Sequence, residues 1–266
     1  MRGWWRDLTD LVLPAECGGC GRPRAVLCAQ CREALCGAAP GRVRPDPRPP
    51  GLPVVHAAAP YEDAVRAVLL AHKERGALGL AGPLGEGLAG AVRAGVVRAG
   101  MEGAWPPGGD AAVLLVPVPS ARGAVRARGH DPVRRIALAA AGELRRGGTR
   151  ARVLCVLRQR RAVADQAGLN SRQRQANLQG ALEVTAGGGR LLADAGAGAD
   201  GGRIVIVDDL MTTGASLAEA ARAIRDVHTE GIGRAVAVTA CEIARGNTIS
   251  AAVVASSPES FGINRN

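Results

Sequence analysis

Ile204-Val205-Ile206-Val207-Asp208-Asp209-Leu210-Met211-Thr212-Thr213-Gly214-Ala215-Ser216 runs four apolar residues into two carboxylates and then into a small-residue turn. The unbroken apolar quartet predicts a strand covered on both faces. Leu217, Ala220, Ala221, Ile224 and Val227 follow at helical spacing, so the turn opens a helix. Backbone N–H groups from Thr212 to Ser216 can then wrap one phosphate, whose charge the helix dipole favours. The hydroxyls of Thr212, Thr213 and Ser216 add donors, and Gly214 admits a close backbone approach. That phosphate would repel Asp208 and Asp209, so they must face another group. Vicinal ribose hydroxyls, which donate to carboxylates, fit that role. A phosphorylated sugar is the expected ligand, against the plain alternative of a solvated acidic turn with a capping threonine. A Walker loop is excluded, because the Gly-Lys pair is missing.

Outward from this segment the pattern repeats. Apolar runs at 54–59, 112–118, 152–157, 203–207, 235–239 and 251–255 predict strands. Helices are predicted between them. Asp131-Pro132 supplies an N-cap and a first-turn proline ahead of Val133, Ile136, Ala137, Ala140 and Leu144 on one face. Residues 61–73 and 84–97 carry two more helical patterns, whereas Gly187-Gly188-Gly189 and 195–202 read as surface loops. Alternating strands and helices argue for an α/β fold around a parallel sheet, with ligands outside the carboxyl ends of its strands.

The front of the chain differs. Cys17-Gly-Gly-Cys20 and Cys28-Ala-Gln-Cys31 are two C-x-x-C knuckles that can converge four thiolates on a structural Zn²⁺. Gly18, Gly19, Gly21 and Pro23 suit turns that curl around sulfur. Disulfides are the alternative, disfavoured in a chain that begins without a signal-peptide core. Four cysteines close the coordination shell, so a catalytic zinc is not expected. Cys36 reads as a spare thiol, and Cys155 and Cys241 as small core residues. The Pro- and Arg-rich stretch 39–53 can be neither helix nor central strand and reads as a linker. It divides a helix-plus-cysteine module at 1–38 from a large domain at 54–266. Trp4, Leu8, Leu11 and Val12 share one helical face, which docks either on the protein or on a membrane or partner.

Composition sets outer limits. The 266 residues are 47% hydrophobic and 22% charged, suited to a folded domain plus a small module. Aromatics are only 2%, which argues against reading single strands mainly by base stacking. The net charge of +10 attracts nucleic acids and phosphorylated metabolites alike. Lys73 is the single lysine; every other basic side chain of the Lys/Arg class is arginine. With no long apolar span or signal core, a cytoplasmic location is the expectation.

The 204–216 segment resembles the 5-phosphoribosyl-1-pyrophosphate (PRPP) motif of type I phosphoribosyltransferases. More closely, the chain resembles the ComF family, which joins an N-terminal four-cysteine module to such a domain. The matches are Cys17/Cys20/Cys28/Cys31, Val116-Pro117-Val118-Pro119, Arg126-x-Arg128-Gly129, Gln166-x-x-Leu169, Arg172-x-Arg174-x-x-Asn177 and the 204–216 loop, in that order. Two departures are His130-Asp131-Pro132 in place of an aromatic-Asn-Gln, and Leu182 in place of Phe. The resemblance implies that Asp208 and Asp209 are the catalytic pair holding the ribose. PRPP contacts would come from Asp208, Asp209, Met211, Thr212, Thr213, Gly214, Ala215 and Ser216.

By the same resemblance, Ser120, Ala121 and Arg122 form the counterpart of the pyrophosphate loop. Arg126, Arg128, Arg158, Arg161, Arg172 and Arg174 are candidates to neutralise the leaving group. Pyrophosphate would arrive as its Mg²⁺ complex. The implied chemistry is displacement of pyrophosphate at ribose C1 by a nitrogenous acceptor, driven by positioning and charge stabilisation. His56, His72, His130 and His228 offer no acid–base partner, and His130 alone earns a test, beside Arg128-Gly129. The alternative implied by the resemblance is a non-catalytic role in DNA uptake. The PRPP pocket would then serve as a sensor, and single-stranded DNA or competence and DNA-processing proteins would be the partners.

Overall fold

A computed structural model describes residues 16–101, 112–161, 171–196, 202–231 and 249–264. The segment with Trp4, Leu8, Leu11 and Val12, the Gln166-x-x-Leu169 pair, the strand expected at 235–239, Cys241 and the side chains of Arg172 and His228 lie outside the described residues.

In chain order the described elements are α1 (Ala29–Cys36), β1 (Gly41–Val43), β2 (Val54–Pro60), α2 (Asp63–Glu74), α3 (Ala81–Met101) and β3 (Val113–Pro117). They continue with α4 (Arg122–Arg128), α5 (Pro132–Arg146), β4 (Ala151–Val153), β5 (Leu157–Gln159), α6 (Ser171–Leu178) and β6 (Leu182–Val184). Last come α7 (Ala186–Gly196), β7 (Arg203–Met211), α8 (Ala215–Gly231) and β8 (Ile249–Ser256). Six strands form one sheet in the order β1-β2-β8-β7-β3-β4, and β5 pairs with β6 in a separate antiparallel ribbon. Every pairing in the large sheet is parallel except β1 with β2. The expected α/β architecture is therefore present.

Strand periodicity divides the core in two. Val113, Leu115, Val205 and Val207 face α2, α3 and α5, while Leu114, Val116, Ile204 and Ile206 face α8 and the β5–β6 ribbon. Each buried Leu or Ile in these layers contributes about 1.5–3 kcal/mol of transfer free energy. The predicted cap of α5 is in place: the Asp131 carboxylate accepts from the Arg134 N–H at 3.1 Å, with Pro132 in the first turn. Such caps contribute about 1 kcal/mol.

Four expectations need correction. The run 152–157 is not one strand. It splits into β4 in the large sheet and β5 in the ribbon, and Cys155 between them is exposed rather than a core residue. The strand expected at 203–207 continues to Met211, because β8 stays paired with it through Ser256. Gly187, Gly188 and Gly189 lie inside α7 rather than in a loop. A Cβ on Gly188 would stand 2.8 Å from Val156 and from Thr185, so close packing outweighs glycine's poor helix propensity there. Finally, the stretch 39–53 is more than a linker. Gly41–Val43 pairs antiparallel with β2 at the edge of the sheet.

Candidate functional site

The carboxylates stand at the carboxyl end of β7, still within the strand. Alternation sends neighbours to opposite faces. Asp209 continues the Val205, Val207 row toward α2 and is buried; Asp208 continues the Ile204, Ile206 row and is partly exposed. The Asp208 carboxylate accepts the Asp209 N–H at 2.9 Å. Burial, and then the Asp209 charge, push Asp208 well above the ordinary carboxylate pKa, while Lys73 pulls it the other way.

Beyond β7 the chain turns through Thr212, Thr213 and Gly214 into α8, whose first backbone bond runs from the Ala218 N–H to the Gly214 carbonyl at 3.0 Å. The N–H groups of the first turn have no carbonyl ahead of them in the helix and point out of its end. Gly214 has φ +74°, and a Cβ there would meet Leu52 at 3.0 Å. The backbone conformation and the neighbour both require glycine. Thr212 is exposed, and Thr213 and Ser216 are partly so. Met211 differs, because its side chain is buried in the core and its carbonyl accepts from Ser256 Oγ at 3.3 Å.

The candidate arginines separate. Arg174, on α6, donates from Nη1 to Thr212 Oγ1 at 3.3 Å, and its buried Nε has no hydrogen-bond partner among the described residues. An arginine placed so, on the rim of a phosphate-sized turn, is suited to a bidentate anion. Arg122 and Arg126 are exposed. Arg128 is engaged instead, donating to the Ala124 carbonyl at 3.1 Å and lying 3.5 Å from Glu74. Arg158 pairs with Glu183 across the β5–β6 ribbon, and Arg161 donates to the carbonyls of Asn177 and Gln179. Ser120 and Ala121 turn off the end of β3, where the Val118 N–H donates to the Val207 carbonyl at 2.9 Å. This brings the 120–122 turn beside the acidic strand end. Ser120 donates to Asp131, the cap of α5.

The β5–β6 ribbon is tied to the same helix. Glu219 of α8 accepts the Leu182 N–H at 3.0 Å, and Arg222 donates to the Leu182 carbonyl at 2.9 Å and to Glu219. Burial works against the Glu219 charge, but these donors outweigh it and lower its pKa. Leu182 is thus held by its backbone, while its side chain fills the core.

The residue that sequence reasoning missed is Lys73. Its Nζ lies 2.9 Å from Asp209 Oδ2 across 136 residues of chain. Its one visible signal was being the single lysine in a chain of arginines. His130 serves as a structural residue: it is buried, with Nε2 3.3 Å from the His72 carbonyl and Nδ1 3.1 Å from the Arg128 carbonyl.

At the other end of α2, the ligand atoms of Cys17, Cys20, Cys28 and Cys31 lie within 4.8 Å of one another. The Cys28 N–H donates to Cys17 Sγ at 3.3 Å. Burial disfavours the Cys17 thiolate, but the N–H groups of Cys28, Cys20 and Gly19 overcome it and lower its pKa to about 6. Burial and the neighbouring sulfurs push Cys31 up, a cost that a bound cation would offset. The donor set and its closeness fit a tetrahedral thiophilic ion such as zinc. Gly18 and Gly19 are needed for room: added Cβ atoms would meet Leu80 and Cys31 at 2.6 Å.

A cleft of about 1,100 Å³ opens between α1, β2 and α3, and no residue of 204–216 lines it. No described helix is long and apolar enough to cross a membrane.

Residues 141–252 match the family model of the phosphoribosyl transferase domain. No curated protein matches the chain. The match spans the end of α5 through the first half of β8, including the acidic strand end and the turn into α8. Over those residues the chain is similar to a phosphoribosyl transferase domain, on an α/β sheet preceded by a four-cysteine cluster.

Proposed function

We propose that the chain binds PRPP and transfers its phosphoribosyl group to a nitrogenous acceptor, releasing pyrophosphate. The observation that carries this is β7 delivering two carboxylates straight into a turn whose threonine is met by Arg174. In this reading the N–H groups and hydroxyls of 212–216, with Arg174, hold the 5-phosphate. That moves Arg174 from the leaving group to the other end of the substrate. The acidic pair receives the ribose hydroxyls, Asp208 from the more open position. Ser120, Ala121, Arg122 and Arg126 flank the leaving pyrophosphate, whose Mg²⁺ comes with the substrate on phosphate oxygens and water. The C1–O bond to pyrophosphate breaks and the acceptor nitrogen's lone pair forms the C1–N bond. Charge developing at C1 and on the departing oxygens is met by fixed groups, so no covalent intermediate on the protein is needed.

Zinc on Cys17, Cys20, Cys28 and Cys31 would cross-link the front of the chain and take no part in chemistry. The four-cysteine cluster at 17–31 ahead of the large sheet supports the resemblance to ComF proteins. The test is calorimetric titration of zinc-loaded protein with PRPP and Mg²⁺, then pyrophosphate release across a panel of bases. Binding with base-dependent release is expected. Binding without release favours the sensing or DNA-handling alternative, and no binding overturns the assignment of 204–216.

A further inference from the structure

Lys73 is anchored at both ends of its helix. Toward the front of α2, Ala64 packs on the cysteine cluster, and Gly19 comes so near that a Cβ on it would lie 3.3 Å from Val68. At the back, Arg128 reaches Glu74, His130 contacts the His72 carbonyl, and the two histidine rings meet edge-on at 5.7 Å. These contacts hold the residues on either side of Lys73. The Asp209 side chain it reaches is only 8% exposed, while Lys73 itself is 37% exposed. A surface lysine retained for solubility needs no such anchoring and gains little from a pair.

We propose that Lys73 is a positioning residue for the acidic pair: it holds the Asp209 carboxyl in place and leaves Asp208 as the carboxyl that engages the ligand. The ligand's identity rests on the phosphoribose assignment above, but the division of labour belongs to the free protein. The charged groups facing Lys73 are Asp209 and Asp208 of β7 and Arg128 of α4. Those facing Asp208 are Asp209 and Lys73. Burial disfavours the Lys73 ammonium and Arg128 repels it, yet Asp209 holds its pKa above the ordinary value. The ammonium therefore stays charged through neutrality.

The test is a carboxyl titration by NMR of ¹³C-labelled aspartate in full-length, zinc-loaded wild type, Lys73→Met and Lys73→Arg, with and without Asp209→Asn for assignment. PRPP–Mg²⁺ calorimetry from pH 6 to 9 runs alongside. In Lys73→Met the raised Asp208 midpoint should rise further, because Lys73 no longer opposes burial and the Asp209 charge, and Lys73→Arg should restore it. PRPP affinity should fall about tenfold or more in Lys73→Met, most at pH 6 and least at pH 9, with the arginine variant keeping the wild-type profile. An Asp208 midpoint unmoved in Lys73→Met would overturn the proposal. A wild type that titrates as expected but binds no PRPP would support the role of Lys73 and overturn the phosphoribose assignment.

Discussion

The cysteine cluster and the acidic strand end are both small knots of polar groups, but they are built in opposite ways. Four thiols come from one short stretch, 17–31, and approach one another through local turns. The acidic end needs β7 between β3 and β8, a lysine 136 residues away and an arginine from α6. A local cluster can be stabilised by a single ion; a distributed one exists only when the whole sheet has formed. Damage to the first should be large and metal-dependent, and damage to the second should be graded by partner.

The largest expected effect is at the cluster. Cys28→Ser should abolish stoichiometric zinc, and structural zinc is worth about 10 kcal/mol or more in small modules. Metal analysis and melting curves would show a loss of bound zinc and a separate early transition. Full zinc retention would break the contrast. A middle effect is expected for Arg174→Ala, which removes a charged donor from the rim of the phosphate turn. Ribose 5-phosphate affinity should fall by about 10–100-fold, in line with roughly 1.5–3 kcal/mol for such a bond, with the melting temperature little changed. Equal losses of stability and affinity would show that Arg174 is a packing residue.

The smallest effect is a gain. The folded-state pKa of Asp208 is raised, so the folded protein holds its proton more tightly than the unfolded chain does. Stability from this group is greatest below the unfolded value and declines as pH rises through the folded one. Asp208→Asn should therefore raise the melting temperature at pH 7, by about 2–4 °C per kcal/mol recovered in a chain of this size, and by less at pH 4. It should also weaken PRPP binding. A melting temperature lowered at pH 7 would mean that the carboxylate stabilises the fold.

Legibility in the sequence followed the same division. The C-x-x-C pair and the apolar-acidic-small order of 204–216 are local patterns; the first gathers four cysteines, and the second forms the end of β7 and the turn into α8. The sheet was legible through its unbroken strands, but the exit of Cys155 into solvent was not, because a run of apolar letters does not say where one sheet is left for another. Gly188 misled for the reverse reason: its propensity is local, whereas the shortage of space beside Val156 is tertiary. Lys73 was visible but silent, since nothing near it in the chain names Asp209. Arg128 looked like a phosphate ligand by motif, and its partner Glu74 is again distant in sequence.

α2 touches both knots. From Ala64, against the cysteines, to Lys73, against Asp209, is nine residues and about 14 Å of helix. The cysteine cluster and the acidic strand end are thus mechanically in series, sharing one strut. A displacement of the knuckle would re-aim the ammonium at the far end of the helix.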